Sequence, residues 1–275
     1  VQESLQMWKM LPAPSTVMTS TQEVCMANEI CYICPTYGHY GYARAALRSF
    51  FKYTPGGLGV VVDDGHPAFH RFWDAEWNVM ACQFSDHVGL TRSWNYGLRV
   101  AREVGAKYAI CSNDDILFTP GWEVGPVALL EDDAIGVVGA LSNGPGWTND
   151  KQNIWDHIRA YRATDCEQGT SEVASTLATR YSVRDHLKVH AVNGFFMISH
   201  TARWWEGRFD DEHVFNPGSR YAMTQNEDEL QSRFQANGWH SAVSLRSFIF
   251  HYRSVTRGDN YRQGMWCRRQ VEAAV

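Results

Sequence analysis

The stretch Tyr108–Phe118, YAICSNDDILF, constrains the fold most strongly: an apolar run stops abruptly at Ser112, Asn113, Asp114 and Asp115, then resumes at Ile116. Such a run reads as a strand that delivers polar side chains at its carboxyl edge, where open α/β sheets take their ligands. Alone, the cluster is equally consistent with a tight turn in which Asn113 and Asp114 satisfy local backbone groups. The pattern recurs twice upstream. Ile30–Cys34 ends in Pro35-Thr36-Tyr37-Gly38, and the apolar run Leu58–Val62 ends in Asp63-Asp64-Gly65.

Helical patterns separate these runs. Ala43, Ala46, Leu47 and Phe50 lie on one face, with Pro55-Gly56-Gly57 as the stop. Trp94, Leu98, Ala101 and Val104 repeat at the same spacing, and Gly105 suits a helix end. Ile135–Ala140 is a fourth buried strand, followed by a loop signal over 142–146. This alternation predicts an α/β fold with a mostly parallel sheet and right-handed crossovers.

Downstream the pattern weakens. Residues 142–188 are polar and read as a lid or acceptor-side insertion, with a possible amphipathic helix around Ile154, Ile158 and Tyr161. Val189–Ile198 returns to strand character, interrupted by Asn193-Gly194 as a bulge or close backbone approach. A helix with an acidic start runs from Glu227 to a stop at Gly238, and Ser244–His251 is the last strand. The expected organisation is an extended segment over 1–28, one domain over 29–258 and a C-terminal tail over 259–275, the chain turning basic from Tyr252.

Composition excludes several classes. At 275 residues and 44% apolar content the chain can bury a sizeable core. Its net charge of −5 is spread without basic runs, so no nucleic-acid surface is expected. The seven cysteines are scattered and odd in number, as in buried thiols of a reducing compartment, although Cys31 and Cys34 do form a CxxC. With no membrane-length apolar stretch and no signal pattern, the expectation is a soluble, cytoplasmic protein. The sequence leaves oligomeric state open.

The ordered succession PTYGH, VVVDDG, SNDD, NGFFMI, FDDEH, NEDELQSRF and FIFHYRS, spread from about Glu29 to Gly258, resembles the GT-A-fold glycosyltransferases of the family 2 type. The resemblance implies a Rossmann-like fold with a small antiparallel acceptor-side sheet. It implies an inverting transfer of a sugar from a UDP- or dTDP-sugar to a hydroxyl acceptor, most naturally a glycan.

In that family the D-x-D metal motif varies to N-x-D, which matches Asn113-Asp114-Asp115. Asp115 would be the principal ligand of Mn2+ or Mg2+, Asn113 an uncharged oxygen beside it, and His251 the late histidine ligand. Asp114 would meet ribose or donor-sugar hydroxyls. Asp63 and Asp64 would recognise the base, Thr36 and Tyr37 would cover base and ribose, and Arg92 and Asn95 would contact nucleotide or diphosphate. Arg253 and Arg257 would pair with the diphosphate. Asp228 matches the general base, which must reach the acceptor hydroxyl. Glu227, Asp211 and Trp205 fall on the acceptor side, with Trp204, Phe195 and Phe196 as further stacking candidates. Two other readings remain: a sugar-1-phosphate nucleotidyltransferase, and a degenerate domain of this fold that binds a sugar or a partner.

Overall fold

The computed structural model describes residues 6–7, 29–145, 150–158, 166–218, 220 and 225–252. Arg253, Arg257, Tyr161, the tail 259–275 and all of 1–28 except residues 6–7 lie outside them. The strands in chain order are β1 (Gln6–Met7), β2 (Ile30–Thr36), β3 (Leu58–Asp63), β4 (Val79–Gln83), β5 (Tyr108–Ser112), β6 (Ile116–Leu117), β7 (Ile135–Leu141), β8 (His186–Val189), β9 (Phe196–His200), β10 (His240–Phe248) and β11 (Phe250–His251). The α-helices are α1 (Tyr40–Tyr53), α2 (Leu90–Glu103), α3 (Val124–Leu130), α4 (Cys166–Arg180), α5 (Thr201–Glu206) and α6 (Asn226–Ala236).

Among the described residues, nine strands form one sheet in the order β1-β4-β3-β2-β5-β9-β7-β10-β8. β4, β3, β2 and β5 run parallel to one another, and β7 runs parallel to β10. β9 is antiparallel between β5 and β7, while β1 and β8 are antiparallel at the two ends. A separate two-stranded antiparallel ladder joins β6 to β11.

Successive residues of a strand face opposite sides of the sheet, and β2 shows this directly. Cys31 and Ile33 enter one apolar layer with residues of α2, α4, α5 and α6; Tyr32 and Cys34 enter the other with residues of α1 and α3. The CxxC thiols therefore sit on opposite faces. Both are fully buried, and burial pushes the Cys31 thiol up to about 12 and Cys34 higher still, so they behave as inert core residues.

From β2 the chain crosses through α1 to β3, whereas β4 returns through α2 to β5 on the other side of β2. The sheet's switch point thus lies between β2 and β5, and the crevice outside their carboxyl ends is the natural ligand position. Register aligns the ends. Thr36 pairs with Asp63, and extending the Ile33–Cys111 pairing by three residues sets Asp114 opposite Thr36.

Three stretches depart from the sequence reading. β4 lies in what reads as a Trp-rich connection; its burial is mostly intermediate, so no clean period marks it. Within Val189–Ile198 only the two ends are strand, β8 finishing at Val189 and β9 starting at Phe196. Around Ile154 the chain forms short 3-10 turns over Asp150–Gln152 and Ile154–Asp156 instead of an amphipathic helix.

α2 packs closely on β2 because Gly97 has no side chain: a Cβ there would stand 2.3 Å from Ile33 Cγ2. Gly97→Ala is expected to cost about 1–3 kcal/mol through overpacking. Urea denaturation should show this as a lower midpoint at unchanged slope, and an unchanged midpoint would contradict the packing.

Candidate active site

The carboxyl edge sorts its carboxylates by what already occupies them. Asp63 is fully buried, with Oδ2 accepting from the Tyr40 hydroxyl at 3.0 Å and Oδ1 from the His66 amide at 2.8 Å. Asp64 accepts from the Val88 amide (2.7 Å), from the Gly89 amide (2.9 and 3.0 Å to its two oxygens) and from His87 Nδ1 (2.8 Å). It thereby serves the amino end of α2, where backbone N–H groups would otherwise lack partners. Burial raises both carboxyls above the ordinary range, and these bonds offset part of the rise. Both oxygens of each carboxylate are committed within the protein, which corrects the expectation that Asp63 or Asp64 stands open to a base.

The Asn113–Asp115 turn is held from several sides. Trp94 Nε1 donates to Ser112 O at 3.0 Å, the Asn113 amide donates to Phe195 O at 3.2 Å, and the Tyr252 amide donates to Asp115 O at 2.9 Å. The β6–β11 ladder pairs His251 with Ile116, and this sets His251 Nε2 3.2 Å from Asp115 Oδ1. Asn113 Nδ2 lies 3.3 Å from the same nitrogen. Three residues expected to share one task are thus brought together.

His251 is oriented by Asn143 and Gly144, which the sequence reading missed, and by Phe195, which it expected to stack on a sugar. Asn143 brackets its backbone, accepting from the His251 amide at 2.9 Å and donating to its carbonyl at 3.0 Å. His251 Nδ1 lies 2.7 Å from Gly144 O, and the Phe195 ring stacks on the imidazole at 5.2 Å and 16°. The only local signal was the loop dipeptide Asn143-Gly144, whose partner lies 108 residues away.

These contacts permit a test of metal fit. A carbonyl accepts only, so Nδ1 carries a proton and the neutral ring turns the Nε2 lone pair toward Asp115 Oδ1. The Asn113 amide can donate to that lone pair, and a proton on Nε2 or a shared cation would join it to Asp115 Oδ1 at 3.2 Å. A ligating histidine usually donates its other N–H to a backbone carbonyl, as here. Among the described residues no group of three or more His, Cys, Asp or Glu side chains is arranged to hold a metal. Asp115 and His251 supply two donors, and rotation of the Asn113 amide would present its oxygen as a third. The set fits a hard divalent cation that also takes oxygen from a ligand.

Asp114 is half-buried beside this group. Burial, then the negative charge of Asp115, raise its carboxyl from 3.8 to about 7. The buried Thr36 hydroxyl, without a well-formed hydrogen bond of its own, stands close enough to offset part of that rise.

The two acidic residues at the start of α6 diverge. Glu227 turns inward toward Gly194, next to Phe195; burial and then the Asp228 charge raise its carboxyl, and the nearby Gly194 amide offsets part of the rise. Asp228 lies on the exposed flank of α6, lining a surface groove with Arg220, Gln225, Glu229 and Ser232. Gln225, just before the helix, adopts φ 63°, the one non-glycine positive φ among the described residues.

The remaining site candidates have different surroundings. Trp205 is 7% exposed, donates to Leu98 O and carries the Arg102 guanidinium over its ring, toward the far end of α2. It is a core residue, as are Trp204 and Phe196, and not a sugar platform. Asn95 is buried and exchanges two hydrogen bonds with the Phe215 backbone, so it clamps a loop instead of meeting a nucleotide. Asp211 is exposed and pairs with Arg208 at 3.1 Å, and Arg92 sits exposed in the first turn of α2.

No protein-family model matches the sequence, and no curated protein does. Solved structures match the fold. GalNAc-T7 with UDP, GalNAc and Mn2+ aligns at TM-score 0.57 and 13% identity, over 82% of this chain and 44% of that one. The mannosyltransferase PcManGT from Pyrobaculum calidifontis, in complex with GDP-Man and Mn2+, aligns at 0.54 and 14%, over 81% and 56%. S. aureus TarS 1-349 aligns at 0.50 and 15%, over 81% and 60%. The chain therefore spans about half the length of these structures, and its fold is that of the GT-A glycosyltransferases.

A carboxyl that binds its proton more tightly folded than unfolded stabilises the fold below about pH 4 and loses that contribution as pH rises toward about 7. Asp114→Asn should remove this loss. In EDTA at pH 8 the variant is expected to be more stable than the wild type by on the order of 1–2 kcal/mol, with the difference shrinking toward pH 4. Superimposable urea midpoints across that range would show that Asp114 is not strained by burial.

Proposed function

We propose that this protein is an inverting, metal-dependent glycosyltransferase that moves a hexose or deoxyhexose from a UDP- or dTDP-sugar to a hydroxyl acceptor, a glycan by preference. The observation that carries the reading is the convergence of Asp115, His251 and Asn113 at the switch point, with the Nε2 lone pair aimed at a carboxylate oxygen. That UDP with Mn2+ and GDP-Man with Mn2+ occupy two structures of the same fold agrees with it.

Asp115 and His251 would hold Mn2+ or Mg2+, with Asn113 as the neutral third donor. When bound, the cation neutralises charge that gathers on the leaving diphosphate. Thr36, Tyr37 and Asp114 take positions along the donor, Asp114 toward its hydroxyls, and Arg92 and Arg257 are the cationic candidates for the diphosphate. Asp228 takes the proton from the acceptor hydroxyl while that oxygen bonds to the anomeric carbon and the bond from that carbon to the diphosphate oxygen breaks, inverting the centre. Its place in the first turn of α6 favours negative charge. Glu227, whose carboxyl is raised by burial, stays next to Gly194 and offers the acceptor a hydrogen bond.

Two measurements test this. In a panel of nucleotide sugars screened by thermal shift, a UDP- or dTDP-sugar is expected to raise the melting temperature only with Mn2+ present, and Asp115→Ala or His251→Ala should abolish the shift. Asp228→Asn should lower kcat by about 10²–10⁴-fold at nearly unchanged donor affinity. Full transfer by that variant would remove Asp228 from its role, and metal-independent turnover would remove Asp115 and His251 from theirs.

A further inference from the structure

We propose that His87, seated on Asp64, reads the donor's nucleobase by accepting an imino N–H, with the Tyr37 ring as the stacking platform; this rests on the glycosyltransferase reading above. With Asp63 and Asp64 committed internally, a base at the carboxyl ends of β2 and β3 must be read by whatever those carboxylates hold outward. Two side chains there reach solvent: Tyr37 is 40% exposed and the His87 side chain 51% exposed. Their ring centroids are 4.6 Å apart, and the His66 ring lies 5.1 Å from Tyr37 at 85°, edge to face.

The two histidines face different ways. His66 Nδ1 accepts from the Ala68 amide at 3.2 Å, and its ring lies so close to Gly38 that a Cβ there would stand 2.8 Å away. That ring is part of the wall. His87 instead has Nδ1 on Asp64 Oδ2 at 2.8 Å, and the same carboxylate holds the Val88 and Gly89 amides. Carboxylate oxygens accept, so Nδ1 carries a proton, and in the neutral form of the ring Nε2 is left as an acceptor on the half-exposed side chain. An acceptor fixed beside a half-exposed aromatic face suits a flat heterocycle with a ring N–H. Uracil, thymine and guanine carry one; cytosine and adenine present a lone pair at the corresponding nitrogen and would meet His87 lone pair to lone pair.

Isothermal titration of the full chain with UDP, dTDP, GDP, CDP and ADP in Mn2+ at pH 8 tests the assignment. The tightest ligand is expected to be one of the first three, and methylating its imino nitrogen should weaken it about tenfold, the worth of one good hydrogen bond. His87→Ala should bind the parent and methylated nucleotides alike while keeping its affinity for Mn2+-pyrophosphate. His87→Gln, whose amide oxygen also accepts, should retain part of the preference and serves if the alanine variant does not fold. A preference for CDP or ADP, or a preference that survives both substitutions, overturns the role of His87 alone. Failure of every nucleoside diphosphate to bind the wild type overturns the glycosyltransferase reading with it.

Discussion

A ladder of two residues on each side, Phe250–His251 against Ile116–Leu117, is the constraint on which the site depends. It joins the turn after β5 to a strand more than 130 residues later, and without it Asp115 and His251 share no neighbourhood. So short a ladder cannot hold itself. Its support comes from outside: the Tyr252 amide on Asp115 O, both hydrogen bonds of Asn143 on the His251 backbone, and the Thr119 hydroxyl on Phe248 O at 2.6 Å. Asn143 acts as a substitute strand partner, because its amide offers one donor and one acceptor at the spacing of a peptide group.

The row of carboxylates at the sheet edge illustrates how burial and hydrogen bonding divide structural from chemical work. Asp63 ends β3, Asp64 follows it, and Asp114 stands two residues beyond the end of β5 on the other side of β2; desolvation raises all three. Asp63 and Asp64 answer with backbone and hydroxyl donors and become hubs for the loop at residues 64–66 and the start of α2. Asp114 faces Asp115 as well, and its carboxyl is carried to about 7. A strained carboxyl of this kind is a mark of a functional position more than of a scaffold.

The sheet was legible wherever a residue's two neighbours in space follow from periodicity alone. β2, β3, β5 and β7 are continuous apolar runs, as strands covered on both faces must be, and α1 and α2 carry clear stripes. β4 was not legible because only the short β1 covers its outer side and its burial is uneven. At the site, the types Asn113, Asp115 and His251 stand out in the sequence, and their grouping follows from the resemblance. The saturation of Asp64 does not, since its partners are amides 24 and 25 residues away that every sequence contains. Trp205 misled for a related reason: an aromatic near a strand end looks the same whether it faces a sugar or the far end of α2.

The segment 192–195, read as strand interrupted by a bulge or close backbone approach at Asn193-Gly194, shows why irregular backbone can sit in the interior here. A loop there needs partners for its peptide groups, and two buried glutamines supply them. Gln231 accepts from the Val192 amide and donates to its carbonyl, and Gln152 accepts from the Asn193 amide while donating to Ala140 O. Freed from the ladder, the chain brings Gly194 against Trp94 and Glu227, where a Cβ would meet their atoms at 3.0 and 3.3 Å. The next residue then lays its ring on His251 and its carbonyl on the Asn113 amide. Two amide side chains therefore bridge the Asp115–His251 cluster and the acidic start of α6, and one of them, Gln152, comes from the stretch read as a lid or acceptor-side insertion. At Gln152 that stretch is an internal support: its side chain is fully buried, and the Ser142 amide bonds its carbonyl at 2.8 Å.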